Sequence, residues 1–486
     1  MHRAAMLTLV GLALIACDSS GGRGAPGGEP PPPPPPPPPG DTPPLRIGSW
    51  TYFGGAQGLS ADVQDVSADE GGNVYVAGGD AVYVKRRADE RFLRFDAENA
   101  GLTVNCNDEA EQHLEVPTQP FRQCRIISVA GAAPGRAIIG FEGFRTDLAG
   151  TGTWDWVLLG NGGADVVAFD PEAGSLSRVR HVEIGSPPHT ICVAGGHERR
   201  STTCSDPNDY WWVTGRHLMH KINRIVVNHD PSTAMYGDAW MCGQHGTFSV
   251  LLNDAAARGF PDHTAGVHPK YRDSKDVWEH LHPAYAPPGY PDAFINGECT
   301  ALSIDPRSGT PWGSNRFRTV AVDGYGPDLR NDQWWMYPPT EDTFLDLWPD
   351  PSMDEPFTAA YDDVSSMSHC ADGTLWIGSL AHGLARIDPA GSIAHVPLPG
   401  GATGPGVSAV ACDPLDASLW IGLAAGGVLR LRGGVFEPVG DPGMPGFAGH
   451  PVPSIQIDRW ADRRIVYFAF QPTASGAGGV ASYDGP

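Results

Sequence analysis

Between Asp363 and Leu431 one pattern occurs twice in succession, and few folds accommodate it. The first copy runs from Val364 through Asp372-Gly373 to Leu375-Trp376-Ile377-Gly378, then His382-Gly383-Leu384 and Arg386-Ile387. The second runs from Val407 through Asp413-Pro414 to Leu419-Trp420-Ile421-Gly422, then Gly427-Val428 and Leu431. Trp376 and Trp420 stand 44 positions apart, within the period of about 40–45 residues of a four-stranded blade. Each copy alternates short β-branched or aromatic runs with Asp-Gly, Asp-Pro or Gly-rich turns, the mark of an antiparallel meander. So small a sheet cannot bury both faces alone and must stack on neighbours. The pattern predicts an all-β fold, a β-propeller.

The signature continues outward at Asn73–Gly78, Arg136–Gly140, Tyr210–Gly215, Asp238–Gly243, Thr310–Gly313 and Ile465–Ala469, so eight copies are recognisable with the two above. Trp212 and Trp240 are only 28 positions apart, too few for a complete blade. Seven blades are therefore expected, with eight as the alternative. The last blade, near Ser454–Asp458, Arg464–Phe470 and Gly479–Tyr483, lacks an outer strand, whereas Leu45–Phe53 is strand-like and precedes the first blade. Pairing the two would close the ring and remove two open edges that invite aggregation.

The expected domain plan has three parts: residues 1–16 as a signal peptide, 17–44 as an anchor and tether, and 45–486 as the propeller with an insertion at about 253–297. Arg3 followed by an apolar run from Ala4 to Leu14 reads as an export signal, too short to span a bilayer as a mature helix. Its ending, Leu14-Ile15-Ala16-Cys17, resembles the bacterial lipobox, which implies lipidation of Cys17 and a lipid anchor in a bacterial membrane outside the cytoplasm. Pro30 to Pro39 would extend roughly 31 Å as polyproline II, a stiff spacer.

A formal net charge of −23 disfavours nucleic acid as a partner. Nine cysteines leave eight besides Cys17, an even number that in an exported chain predicts disulfides. Cys106 with Cys124, and Cys192 with Cys204, bracket polar insertions and are the favoured pairs. The partners of Cys242, Cys299, Cys370 and Cys412 stay open.

The repeat resembles that of the propellers in periplasmic sensor domains of two-component regulators. Asp372–Gly378 with His382–Ile387 is the best match, the copy ending at Leu431 the next, and residues 58–84 follow with Gly58-Leu59-Ser60 and Asn73-Val74-Tyr75-Val76. The resemblance implies an extracytoplasmic ligand-sensing module, although the 486 residues contain neither the membrane helix nor the kinase that follow it in that family.

Loops on a rigid ring usually carry binding groups, so departures from the repeat are the functional candidates. Residues 253–297 are the largest. Trp278, Glu279, His280 and His282 are candidate ligand-binding residues there. In an extended strand, His280 and His282 would share a face. No cofactor is expected; the alternative is a transition-metal ion held by these two with His263 or His245. Oxygen-rich loops at Asp206–Asp209 and Asp346–Glu355 lack EF-hand spacing. A Gly-x-Ser-x-Gly elbow, a phosphate loop and a dinucleotide fingerprint are all missing from the sequence. The leading expectation is a non-enzymatic scaffold presenting loops to a protein, peptide or carbohydrate. A hydrolase or lyase with a channel site, to which His369 and His382 are candidate contributors, is the alternative, and a metal-dependent binding protein the third reading.

Overall fold

The computed structural model describes residues 42–103, 125–142, 163–182, 221–243, 250–253, 299–314, 347–348, 362–400, 406–440, 443–447, 449–474 and 476–485 in full. For the strands at 184–185, 191–194, 197–200, 210–212, 217–219, 248–249, 277–280, 315, 319–321 and 344–345 it describes the backbone.

The chain is a β-propeller. Among the described residues, six sheets are four-stranded antiparallel meanders taken from one continuous run of sequence each. They begin with the strands Asp65–Ala68, Arg125–Gly131, Ile222–Val227, Cys299–Ile304, Val364–His369 and Val407–Cys412. Seven or eight such units are expected from sequence; six are found, and the remaining large sheet is composite. It has five strands, in the order Leu45–Ile47, Trp50–Phe53, Gly479–Tyr483, Val466–Phe470 and Ser454–Ile457, and so draws on both ends of the chain. Trp50 lies opposite Tyr483 and Phe53 opposite Val480. Trp50 also packs its ring on Phe447, Phe468 and Tyr483 at 4.6–5.4 Å.

The signature at Tyr210–Trp212 belongs to no large sheet. It pairs with Ile191–Ala194 in a separate three-stranded sheet, while Ala239–Gly243 is the true second strand of its meander. The spacing conflict between Trp212 and Trp240 is thereby resolved.

The first strands are neighbours in sequence order, and Ser454–Ile457 in turn lies beside Asp65–Ala68. Small polar side chains tie each inner strand to the next. Ser128 Oγ donates to the Ile222 carbonyl at 2.7 Å, Asn223 to Cys299 at 2.8 Å, Ser365 to Val407 at 2.6 Å and Ser408 to Val452 at 2.7 Å; Thr300 donates to Val364 in the same way. A second tier runs in the opposite sense, from backbone to side chain. Val129 N donates to Asp65, Gly131 N to Ser67, His369 N to Ser303, Val410 N to Ser366 and Cys412 N to Ser368, at 2.9–3.0 Å. Inner strands lie too far apart for a backbone ladder, so without these side chains their buried backbone groups would be left unsatisfied, at roughly 1–3 kcal/mol each.

The repeat's terminal glycine has a packing cause. A Cβ on Gly378 would meet Val407 Cγ1 at 2.5 Å, on Gly422 Val452 Cβ at 2.7 Å, and on Gly140 Ile222 Cβ at 2.9 Å. Each glycine therefore makes room for the first residues of the next sheet. The repeat's Asp and aromatic are also coupled: buried Asp413 accepts from Trp420 Nε1 at 3.1 Å, and buried Asp69 from the Tyr75 hydroxyl at 2.9 Å. Asp413 further binds Arg464 Nε at 2.6 Å, and Arg464 reaches Asp416 at 3.0 Å, bridging two sheets.

Two disulfides cross seams between adjacent sheets. Cys370 pairs with Cys412 and Cys242 with Cys299, with Cα atoms 5.2 Å and 5.4 Å apart. These are the four cysteines whose pairing the sequence leaves open. Cys106, Cys124 and Cys204 lie outside the described residues, and Cys192 falls on a strand described by its backbone.

Candidate functional site

The inner strands enclose a channel whose wider end forms a cavity of about 440 Å³. This end is rimmed by the turns that join each first strand to its second. A smaller space of about 130 Å³ lies deeper, against Asp65 and Arg224.

The rim residues follow from one position per turn, immediately after the residue that ends or follows the inner strand. In three successive sheets that position holds Pro306, Ala371 and Pro414. Elsewhere it holds Glu70, Ala133, His229 and Arg459. The mouth is therefore lopsided, with only short side chains on one side and the three large polar ones, with Ala133 among them, on the other. Trp460 and His229 belong to sheets that are not adjacent, yet their rings meet edge to face at 4.8 Å, so they reach across part of the opening.

His229 Nδ1 donates to Glu70 Oε1 at 2.9 Å, and the Tyr236 hydroxyl donates to Glu70 Oε2 at 2.6 Å. Burial lowers the His229 pKa against the opposing pull of Glu70, and the positive charge of Arg459 lowers it further. His229 is thus neutral at physiological pH. The hydrogen bond to Glu70 pushes Tyr236 up to about 12.

His369 lies on the channel wall, its Nδ1 2.8 Å from Ser303 Oγ. Burial lowers its pKa to about 4, against the pull of Asp305. The serine–histidine pair invites a catalytic reading, but its geometry has a structural cause. Ser303 Oγ accepts from His369 N as Ser366 and Ser368 accept from Val410 N and Cys412 N, so Ser303 is one more tie between inner strands. A base held near 4 is a weak proton acceptor for a serine hydroxyl, and Asp305 is engaged by Arg307 at 3.0 Å. His382, the other sequence candidate, stacks on Trp348 at 5.2 Å beside His395, and does not line the channel.

Val277–His280 is the outermost strand of the sheet that begins at Ile222, with Trp278 opposite Val250, Glu279 opposite Ser249 and His280 opposite Phe248. This part of the 253–297 stretch therefore completes a meander, on a strand distant in order from the channel. His245, His263 and His282, like Cys17 and both oxygen-rich acidic runs apart from Leu347-Trp348, lie outside the described residues. Among the described residues no group of three or more His, Cys, Asp or Glu side chains is placed to hold a metal ion.

Sequence reasoning missed Arg459 and Trp460. The available signal was their position: Asp458-Arg459-Trp460 occupies the turn that reads Asp413-Pro414-Leu415 one sheet earlier.

The fold and this mouth define the class, a β-propeller with a central channel. No protein-family model matches the chain, and no curated protein matches it in sequence. Similar solved structures include YCF48 bound to D1 peptide (12% identity, TM-score 0.48, covering 91% of this chain and 98% of that one). Others are U3-55K (9%, 0.46, 90% and 98%) and the RRP9 WD40 repeats (8%, 0.46, 90% and 97%). At these identities the likeness concerns the fold alone.

Proposed function

We propose that this chain is a non-enzymatic binding scaffold that receives a segment of another protein at the channel mouth. In this reading the composite sheet closes a seven-bladed ring, and Cys17 anchors the ring by lipid outside the cytoplasm. The observation that carries the binding role is the lopsided mouth: a cavity of about 440 Å³, within the roughly 300–1,000 Å³ typical of ligand sites, framed by Trp460, His229 and Arg459 on one side and by small residues on the other. The exported location is supported by the two inter-sheet disulfides, which persist in oxidising compartments.

The test uses the full-length chain in detergent against a displayed library of random octapeptides. Enriched peptides should lose binding when Trp460 is replaced by alanine and keep it when the remote, exposed Val435 is replaced. Failure to enrich any peptide, or indifference to Trp460→Ala, refutes the role. Separately, cells fed an alkyne fatty acid should label the wild-type chain and leave Cys17→Ala unlabelled; equal labelling refutes the anchor.

A further inference from the structure

The channel mouth contains a cation without a counter-ion. Arg459 lines the cavity and makes no hydrogen bond or ion pair among the described residues. Channel wall surrounds it closely enough to lower its pKa, yet the channel leaves it open to water. Such a group is out of place in a chain of net charge −23. The carboxylates of the turns around the channel are engaged elsewhere. Asp458, its neighbour in sequence, gives both oxygens to Arg87 at 2.6 and 2.9 Å. Glu70 is held by His229 and Tyr236, Asp305 by Arg307, and Asp413 by Arg464 and Trp420. Asp230, also on the rim, accepts from the backbone and hydroxyl of Ser232.

A planar guanidinium presents five donors in a fork that matches a carboxylate bidentately. A crowded setting strengthens that pairing relative to open water. Beside it, Trp460 and His229 offer an apolar wall, and the opposite rim is kept low by Pro306, Ala371 and Pro414, so a chain can enter from that side.

Resting on the peptide-binding reading above, we propose that Arg459 is the anchor for a carboxylate on an extended, acidic protein segment, and that this ion pair selects the ligand. The carboxylate is either an Asp or Glu side chain or the segment's own C-terminus; both offer the same two oxygens.

The experiment takes octapeptides enriched on the full-length chain and measures their Kd as four matched forms: acidic or Asn/Gln-substituted, each with a free or amidated C-terminus. Arg459→Met and Arg459→Lys variants are measured alongside, with thermal midpoints to verify folding. Losing a charged hydrogen-bonding partner should weaken binding by about 10- to 100-fold in Arg459→Met. Arg459→Lys should restore part of that loss. The form whose neutralisation removes the sensitivity to Arg459→Met identifies the source, side chain or C-terminus. Peptides that bind wild type and Arg459→Met equally, or with effects of charge removal that simply add, overturn the anchor while leaving peptide binding intact. Absence of any enriched peptide removes both readings together.

Discussion

Removing the Cys370–Cys412 bridge as a Cys370→Ala/Cys412→Ala pair tests whether the seams between sheets hold the ring. The two cysteines are 42 positions apart, and both are buried at the mouth end of neighbouring inner strands. Constraining a loop of that length in the unfolded chain contributes about 4 kcal/mol on the chain-entropy model. The compact unit spans Asp41–Pro486, and its unfolding entropy, at about 2.1 cal/mol/K per residue, is near 0.9 kcal/mol/K. The expected fall in Tm is therefore about 4 °C, read by scanning calorimetry with Cys242–Cys299 intact. The loss should be the same whether the bridge is deleted by mutation or left open by selective reduction, since its origin lies in the unfolded chain. A fall below 1 °C would refute the reasoning. It would mean that the ties from Ser366 to Val410 N and from Ser368 to Cys412 N already fix this seam. A fall well beyond 10 °C would refute it from the other side, because loop entropy cannot supply so much.

Asp413→Ala strips the buried partner of Arg464 and Trp420 and should destabilise by about 3–5 kcal/mol in urea unfolding; a cost under 1 kcal/mol would mean that Asp416 alone satisfies Arg464. Gly422→Ala places a methyl against Val452 and should cost about 1–3 kcal/mol, whereas Gly55→Ala, with nothing near, should be close to neutral. The His369 pKa is lowered to about 4 from 6.5, so between those values the unfolded chain takes up the proton and the folded chain does not. Stability is then fully present above pH 6.5 and declines as pH falls, by about 1.5 kcal/mol between 6.5 and 5. His369→Gln should flatten that slope in urea titrations at matched pH, and an unchanged slope would show that His369 is protonated in the folded chain.

What the sequence made legible follows the packing. Second strands are buried on both faces between neighbouring sheets, as at Leu419–Leu423, and such positions tolerate few residue types. Their Trp-Ile-Gly signature therefore recurs. Outer strands have one paired edge and an open face: Ile393–Val396 and Val435–Val439 alternate between exposed and half-buried residues. Little constrains them, so Val277–His280 carried no signature and its surroundings read as an insertion. The pairing of Trp50–Phe53 with the last sheet was legible from the missing outer strand, because an unpaired edge is a deficit visible in sequence. Tyr210–Trp212 imitated the signature because a short aromatic strand in any sheet has the same local composition.

The mouth could not be read in this way, for a physical reason. The inner strands are fixed to one another by hydroxyls, Asn223 and Asp65 acting on main-chain groups of the next strand, two positions apart at Asp65 and Ser67 and at Ser366 and Ser368. Most of those ties end where the strand ends, although Asp69 still accepts from Gly135 N of the next sheet at 2.8 Å. The following turn closes on backbone bonds such as Gly373 N to Cys370 O and Ala417 N to Asp413 O, which ask nothing of the residue between. That residue is therefore not dictated by its own turn, although Glu70 there also ties to His229 and Tyr236 of another sheet. Across the sheets it is proline, alanine, glutamate, histidine or arginine. Yet the same position, repeated around a common axis, brings residues from Glu70 to Arg459 within reach of one another. Local sequence reports a turn, and only the radial assembly turns it into a rim. An arginine there without a counter-ion has no role in holding the turn, so its charge is available to a ligand.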